Sequence, residues 1–66
     1  GEMNDRPRYY AVRYRLYPAY TDKERTDYRV PAYSAADAVT QIQVREKELE
    51  CILWVMPAEP VHEGDE

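Results

Sequence analysis

Polar and apolar residues alternate along the segment from Arg8 to Tyr17. One set holds Tyr10, Val12, Tyr14 and Leu16, and the other holds Tyr9, Ala11, Arg13, Arg15 and Tyr17. A period of two residues is typical of a β-strand with one buried face. The pattern therefore predicts a first strand over these residues, which Pro18 ends because proline cannot continue the regular pairing.

A second alternating segment runs from Asp27 to Tyr33, after a polar stretch from Thr21 to Thr26 that predicts the hairpin turn. Its apolar set is Tyr28, Val30 and Ala32, and the other face holds Arg29 and Tyr33. Pro31 has no amide hydrogen to donate, so this strand is expected at a sheet edge. If the apolar sets of both strands share a face, the hairpin needs either a loop of odd length or a bulge near Pro18. The sequence leaves both alternatives open.

The segment from Ser34 to Glu50 has a helical period. Ser34 is a favourable N-cap, and Asp37 three residues later resembles a capping box and suits the helix dipole. One side of the helical wheel collects Ala35, Ala38, Val39, Ile42 and Leu49. We expect a helix of about 13 residues that packs on the sheet. Val44 points away from this stripe and is expected on the surface.

The apolar run from Cys51 to Met56 predicts a third strand, which ends at Pro57. The order strand, strand, helix, strand predicts an α+β fold of ββαβ type, with a three-stranded antiparallel sheet in the order 2-1-3 and one helix on one face. Residues 8–57 are expected to form the single domain. Residues 1–7 are predicted to be a flexible N-terminus, in which Gly1 and Glu2 before Met3 resemble a tag remnant, and residues 58–66 a flexible acidic tail.

The third strand is apolar on both faces, whereas one helix covers only one of them. Either Cys51, Leu53 and Val55 or Ile52, Trp54 and Met56 must then face away from the helix. Proteins usually pair or cover such an uncharged edge strand, and a chain of 66 residues has a small core. We therefore expect a homodimer whose edge is formed by Ile52, Leu53, Val55 and Met56. In the alternative, a monomer folds its tail over the open face.

The predicted interaction surface combines arginine with aromatic residues on the face opposite the helix. It consists of Tyr9, Arg13, Arg15, Tyr17, Arg29, Tyr33 and Trp54. Tyrosine, tryptophan and arginine are enriched in the hot spots of protein interfaces, which favours a protein partner. The same residues suit single-stranded nucleic acid, where bases stack on rings and arginines meet phosphates. The net charge of −4 disfavours nucleic acid, and a solvated surface is the third alternative.

Carboxylates concentrate near the end of the predicted helix and in the tail. They are Glu46, Glu48, Glu50, Glu59, Glu63, Asp65 and Glu66. Solvation and helix-surface pairing explain them. The element order, the small size and the expected pairing through the third strand also resemble the small phage inhibitors of uracil-DNA glycosylase. That resemblance lies in architecture, carries no site residues across, and implies an acidic mimic of DNA as a minor alternative function.

The composition argues against catalysis, and we predict no catalytic residue, no cofactor and no metal. Cys51 is the only cysteine and is expected in the core, while His62 is the only histidine and lies in the tail. The two glycines do not form a phosphate-binding loop. No apolar run reaches the roughly 18 residues of a membrane span. We expect a cytoplasmic, non-catalytic accessory module, of the protein-binding or inhibitor type, that acts as a homodimer.

Overall fold

The structure, a computed structural model, describes residues 6–17 and 23–60 and, for the last two of these, only the backbone. Three strands and one helix follow in the order β1 Arg8–Leu16, β2 Lys23–Ala32, α1 Ala35–Arg45 and β3 Leu49–Pro60. The strands form one sheet in the order β2-β1-β3, and β1 pairs antiparallel with both neighbours. The predicted α+β fold and its strand order are confirmed.

The core lies between the sheet and α1. It consists of Tyr10, Val12, Tyr14, Leu16, Val30, Ala32, Ala38 and Ile42. Val12 and Ile42 are the largest of the fully buried side chains. The apolar set predicted for β1 thus faces the helix, because alternate residues of a strand point to the same side. Only a few large side chains are fully enclosed, as expected for a domain of this size.

The helix begins at the predicted N-cap. Ser34 has an extended backbone, and its Oγ accepts a hydrogen bond of 3.0 Å from the amide of Asp37. Asp37 Oδ2 in turn accepts from the amide of Tyr33 at 2.9 Å. The first bond satisfies an amide that a helix start leaves without a helical partner, and the second ties the residue before the cap to the first turn. Val44 is 71% exposed, which confirms its predicted place on the surface.

The helix is shorter than predicted, with 11 residues. Glu46 leaves the helical conformation, so Leu49 belongs to β3 and not to the helical stripe. Ala35, also expected in the stripe, is exposed in the first turn. The stripe that packs on the sheet is therefore centred on Ala38 and Ile42.

A network of polar side chains joins the end of α1 to the sheet. The Tyr14 hydroxyl donates to Glu46 Oε2 at 3.2 Å and accepts from Arg45 Nη2 at 3.4 Å. Arg45 Nη1 also lies 3.0 Å from Asp27 Oδ2 on β2. Tyr14 thus has a buried ring and a satisfied hydroxyl, the usual arrangement for a tyrosine at the border of a core.

The second strand starts earlier than predicted. Lys23 to Thr26 belong to β2, so the predicted turn over residues 21–26 is wrong for its last four positions; residues 18–22 lie outside the described part of the chain. The polar residues extend the strand because they meet complementary partners: Glu24 pairs with Arg15, and Thr26 with Arg13.

The bulge that adjusts the hairpin lies within the strands, away from Pro18. Tyr10 pairs with Val30 and Val12 pairs with Asp27, which leaves two residues of β2 opposite Ala11. One of them is Tyr28, whose predicted place on the buried face is wrong, because it is 68% exposed. An extra residue in one strand reverses the alternation beyond it.

The third strand is longer and more irregular than predicted. It continues past Pro57 to Pro60, which is compatible with its position at the edge of the sheet, where an amide can be missing. The predicted end at Pro57 is therefore wrong, and residues 58–60 of the predicted tail lie in β3. Residues 61–66, the rest of the tail that covers the open face in the monomer alternative, lie outside the described residues.

Three register shifts interrupt the pairing of β3 with β1. Alternate residues of β3 therefore do not all point to the same side of the sheet. Neither of the two alternating sets that we expected to face away from the helix does so as a whole. Cys51, Trp54 and Met56 pair with Arg15, Arg13 and Ala11, the β1 residues that point away from α1. Ile52 and Val55 pack against the core together with Leu49. Each bulge shifts the alternation by one residue and lets one strand serve both faces.

Candidate functional site

The face of the sheet opposite α1, called the open face below, carries the candidate site. Its members on β1 are Tyr9, Ala11, Arg13 and Arg15; β2 adds Glu24, Thr26 and Arg29; β3 adds Cys51, Trp54 and Met56. No described element packs over these residues, since the only helix in residues 6–17 and 23–60 lies on the other side. The open face thus brings together five of the seven residues of the predicted interaction surface.

Two arginines at the centre of the open face share one carboxylate. Arg13 Nη2 lies 2.8 Å from Glu24 Oε1, while Arg15 donates to Glu24 Oε2 from Nη2 at 2.9 Å and from Nε at 3.2 Å. Arg13 also donates to Thr26 Oγ1 at 2.6 Å. Both oxygens of Glu24 are engaged, so this network fixes the two guanidinium groups against β2.

The network changes the electrostatics of the open face. The hydrogen bonds from Arg15, and then those from Arg13, lower the pKa of the Glu24 carboxyl below its ordinary value. The same bond to Glu24 raises the pKa of Arg15, to which Glu50 adds a smaller Coulombic contribution. Two arginines thus share one carboxylate, so the positive charge at the centre of the open face is partly compensated.

A shallow cleft lies at the end of the open face that is nearer to Arg8. It has a volume of about 260 Å³, and its described lining is Tyr9, Tyr28, Arg29 and Ala58. The guanidinium carbon of Arg29 lies 4.4 Å from the centre of the Tyr9 ring, within the range of a cation–π contact. The bulge in β2 brings Tyr28 and Arg29 to this cleft together, because both lie opposite the single residue Ala11.

An apolar strip follows β3 along the open face. Trp54 is 38% exposed and Met56 is 50% exposed, and both side chains point away from the core. Cys51, which we expected in the core, is half-buried opposite Arg15 on the same face and carries a free thiol. Exposed tryptophan and methionine beside arginine are characteristic of protein-binding surfaces.

The structure separates the other predicted site residues from this group. Tyr17 and Tyr33 are exposed and lie just beyond the ends of β1 and β2. Ile52 and Val55, predicted at a dimer edge, instead border the core, and Leu53 is half-buried at a register shift. Of the four predicted edge residues, only Met56 belongs to the open face.

Glu24 is the site residue that the sequence pattern did not predict. We placed it in the hairpin turn predicted from Thr21 to Thr26. A signal was present, however, since Glu24 and Thr26 alternate with Lys23 and Arg25 and carry groups that suit Arg13 and Arg15 across the hairpin. Extending the second strand by charge complementarity would have found the contact.

Among residues 6–17 and 23–60, no three histidine, cysteine, aspartate or glutamate side chains cluster to form a possible metal site. Within the same ranges, no helix has the length and apolar character needed to cross a bilayer. The described lining of the cleft contains neither a carboxylate nor a cysteine, serine or histidine.

Comparison of the chain with known protein families finds no family model that matches. No curated protein and no solved structure matches it either. Inferences about function therefore come from the geometry of the open face.

Proposed function

We propose that the protein is a non-catalytic accessory module that binds another protein through its open face. The observation that carries this proposal is the combination on one surface of exposed Trp54 and Met56 with two arginines that ion pairs to Glu24 hold in place. Hot spots of protein interfaces use tryptophan and arginine held in fixed positions, because ordering them on binding then costs little entropy.

The same contacts argue against a nucleic-acid site. Affinity for nucleic acid comes largely from cations that replace counterions at the phosphates. Arg13 and Arg15 are the two predicted phosphate ligands at the centre of the open face, and their shared ion pairs with Glu24 reduce the positive charge that they offer to a phosphate. A protein partner can contact the flat faces of these guanidinium groups while the ion pairs stay intact.

The proposal includes the absence of catalysis and a location in the cytoplasm. A general acid or base needs a site that shifts its pKa and excludes water, and Glu24 is held as an ion-paired carboxylate. A single cysteine forms no disulfide within the chain, which suits a reducing compartment.

Two binding measurements test the proposal. In the first, fluorescence anisotropy of a labelled oligothymidine at low salt is expected to show no saturable binding at micromolar protein. In the second, immobilised wild-type protein is used to capture partners from its source cells, and a captured protein is purified and titrated. Trp54→Ala is expected to weaken that interaction about tenfold or more, as for a hot-spot residue.

Val44→Ala is the matched control, because Val44 is an exposed apolar residue like Trp54 but lies on the helix, on the opposite side of the molecule. It should leave the affinity for the purified partner unchanged. Salt-sensitive binding of the oligothymidine that is lost in the Arg13→Ala, Arg15→Ala double variant would overturn the proposal in favour of single-stranded nucleic acid.

A further inference from the structure

We infer that the segment bound by the open face is acidic and apolar, with a carboxylate that meets Arg13 and Arg15 and an apolar side chain that packs on Trp54. This inference rests on the proposed function and names the chemistry of the partner. The carboxylate and the apolar side chain belong to residues two apart in one extended stretch of the partner protein.

Arg13 and Arg15 carry more positive charge than their surroundings neutralise. Among residues 6–17 and 23–60, Glu24 supplies the one carboxylate within ion-pair distance of either guanidinium group. Hydrogen bonds from Arg15 and Arg13 lower the pKa of Glu24, so it is ionised at neutral pH. Glu50 acts on Arg15 through its Coulombic field alone and contributes least to the raised pKa of that arginine. Two cations and one paired anion leave room for one further carboxylate.

The two guanidinium groups are more accessible to a partner than the carboxylate they share. The side chains of Arg13 and Arg15 are 36% and 35% exposed, whereas that of Glu24 is 22% exposed. Glu24 and Thr26 accept from both terminal nitrogens of Arg13 and from Nε and Nη2 of Arg15. Within the described part of the chain, no acceptor meets Arg13 Nε or Arg15 Nη1. An incoming carboxylate can therefore accept from these donors while the existing bonds stay in place.

An apolar anchor lies directly beside the free donors. β1 is the central strand, and Trp54 on β3 pairs with Arg13. Diagonal neighbours on adjacent strands, such as Arg15 and Trp54, are about 7–8 Å apart. Residues i and i+2 of an extended peptide point to the same side and are about 7 Å apart. One extended segment can thus place its carboxylate at Arg15 and its apolar side chain on Trp54.

The charge at the centre of the open face suits a short acidic segment better than a nucleic acid. Nucleic-acid affinity grows with the number of phosphates that cations neutralise, and Glu24 already compensates part of the charge of this pair of arginines. The whole chain has a net charge of −4 and repels a long polyanion. A short segment is less affected, since salt screens charges beyond about 8 Å at physiological ionic strength.

Selection of peptides from a random library displayed on phage, with the immobilised full chain as bait, tests the inference. The selected sequences are expected to be enriched in aspartate or glutamate two residues from an aromatic or large aliphatic residue. A labelled synthetic peptide with the consensus sequence is then titrated with the protein by fluorescence anisotropy. The same peptide with its acidic residue replaced by the matching amide should bind about tenfold or more weakly, because it loses charge-assisted hydrogen bonds.

The Arg13→Gln, Arg15→Gln double variant should bind the acidic peptide about tenfold or more weakly than wild type and the amide peptide about equally. Arg25→Gln is the matched control, because it removes an exposed arginine that pairs with the core residue Tyr14, on the helix side of the sheet. It should leave both affinities unchanged. Circular dichroism checks that each variant is folded; if the double variant is not, Arg15→Gln alone should weaken binding of the acidic peptide in the same direction.

A library that yields no peptide, or peptides without the acidic and apolar pair, would overturn the inference. Equal affinities for the acidic and amide peptides would also overturn it, as would displacement of the acidic peptide by micromolar oligothymidine, which would indicate a phosphate site. The inference and the proposed function can fail separately. A captured protein whose affinity depends on Trp54 but not on Arg13 and Arg15 would still be a partner of the open face.

Discussion

Ile42→Ala is expected to lower the free energy of unfolding by about 2–5 kcal/mol. Ile42 is fully buried where α1 meets the sheet, and it belongs to the core cluster with Val12. Removal of its branched side chain loses apolar burial and leaves a cavity. At about 0.05–0.15 kcal/mol per residue, a chain of 66 residues has a free energy of unfolding of about 3–10 kcal/mol. The substitution is therefore expected to remove a large part of the stability.

Urea denaturation followed by circular dichroism measures this loss, and Val44→Ala provides the control. Val44 lies on the same helix but is 71% exposed. Its replacement should change the free energy of unfolding by no more than about 0.5 kcal/mol, with a small gain from the higher helix propensity of alanine. Equal effects of the two substitutions would show that α1 does not pack on the sheet through Ile42.

Ala38→Leu is expected to destabilise the protein by about 1–3 kcal/mol, for the opposite reason. Ala38 is fully buried in the helix–sheet contact, where its small side chain lets the two elements approach. A leucine at this position forces the helix away from the sheet or into a strained rotamer. Its greater hydrophobicity cannot compensate, since the core has no space for it.

The matched control for this substitution is Ala36→Leu, two residues earlier in α1. Ala36 is exposed, so a leucine there should change the midpoint of urea denaturation little. Stabilisation by Ala38→Leu would contradict close packing at this point and would indicate a void between α1 and the sheet.

The fold was predictable because its elements carry strong local signals. Strict alternation along β1 sets one buried face, and Ser34 with Asp37 marks the start of α1. An antiparallel hairpin followed by a helix and a third strand allows few topologies. Local pattern and topology agreed, so the order 2-1-3 followed from the sequence.

The bulges were not predictable, because they depend on contacts between strands and not on the pattern within one strand. The position of Tyr28 follows from the pairing of Val12 with Asp27, and Asp27 is held in turn by Arg45 at the end of α1. The arrangement of β3 likewise requires three register shifts, which let some of its residues pack on the core and others lie on the open face. Strict alternation misplaces residues wherever such a shift occurs.

The candidate site was predictable in its members but not in its charge. The pattern of β1 placed Tyr9, Arg13 and Arg15 on one face, where the structure has them. The partner of the two arginines, Glu24, lay in a segment that its polarity assigned to a turn. A polar segment and a polar edge strand look the same until the opposite strand is considered. The ion pairing of the arginines with Glu24, on which the choice of partner depends, is therefore a property of the hairpin.

A titration of the isotope-labelled chain with a captured and purified partner, followed by two-dimensional NMR, tests most directly whether the open face is the surface that binds protein. The indole N–H resonance of Trp54 and the methyl resonance of Met56 are expected to shift as the partner is added. The methyl resonances of Val44, on the far side of α1, should stay constant. Shifts that appear at Val44 while Trp54 and Met56 stay unchanged, or no shift at any of the three, would contradict it.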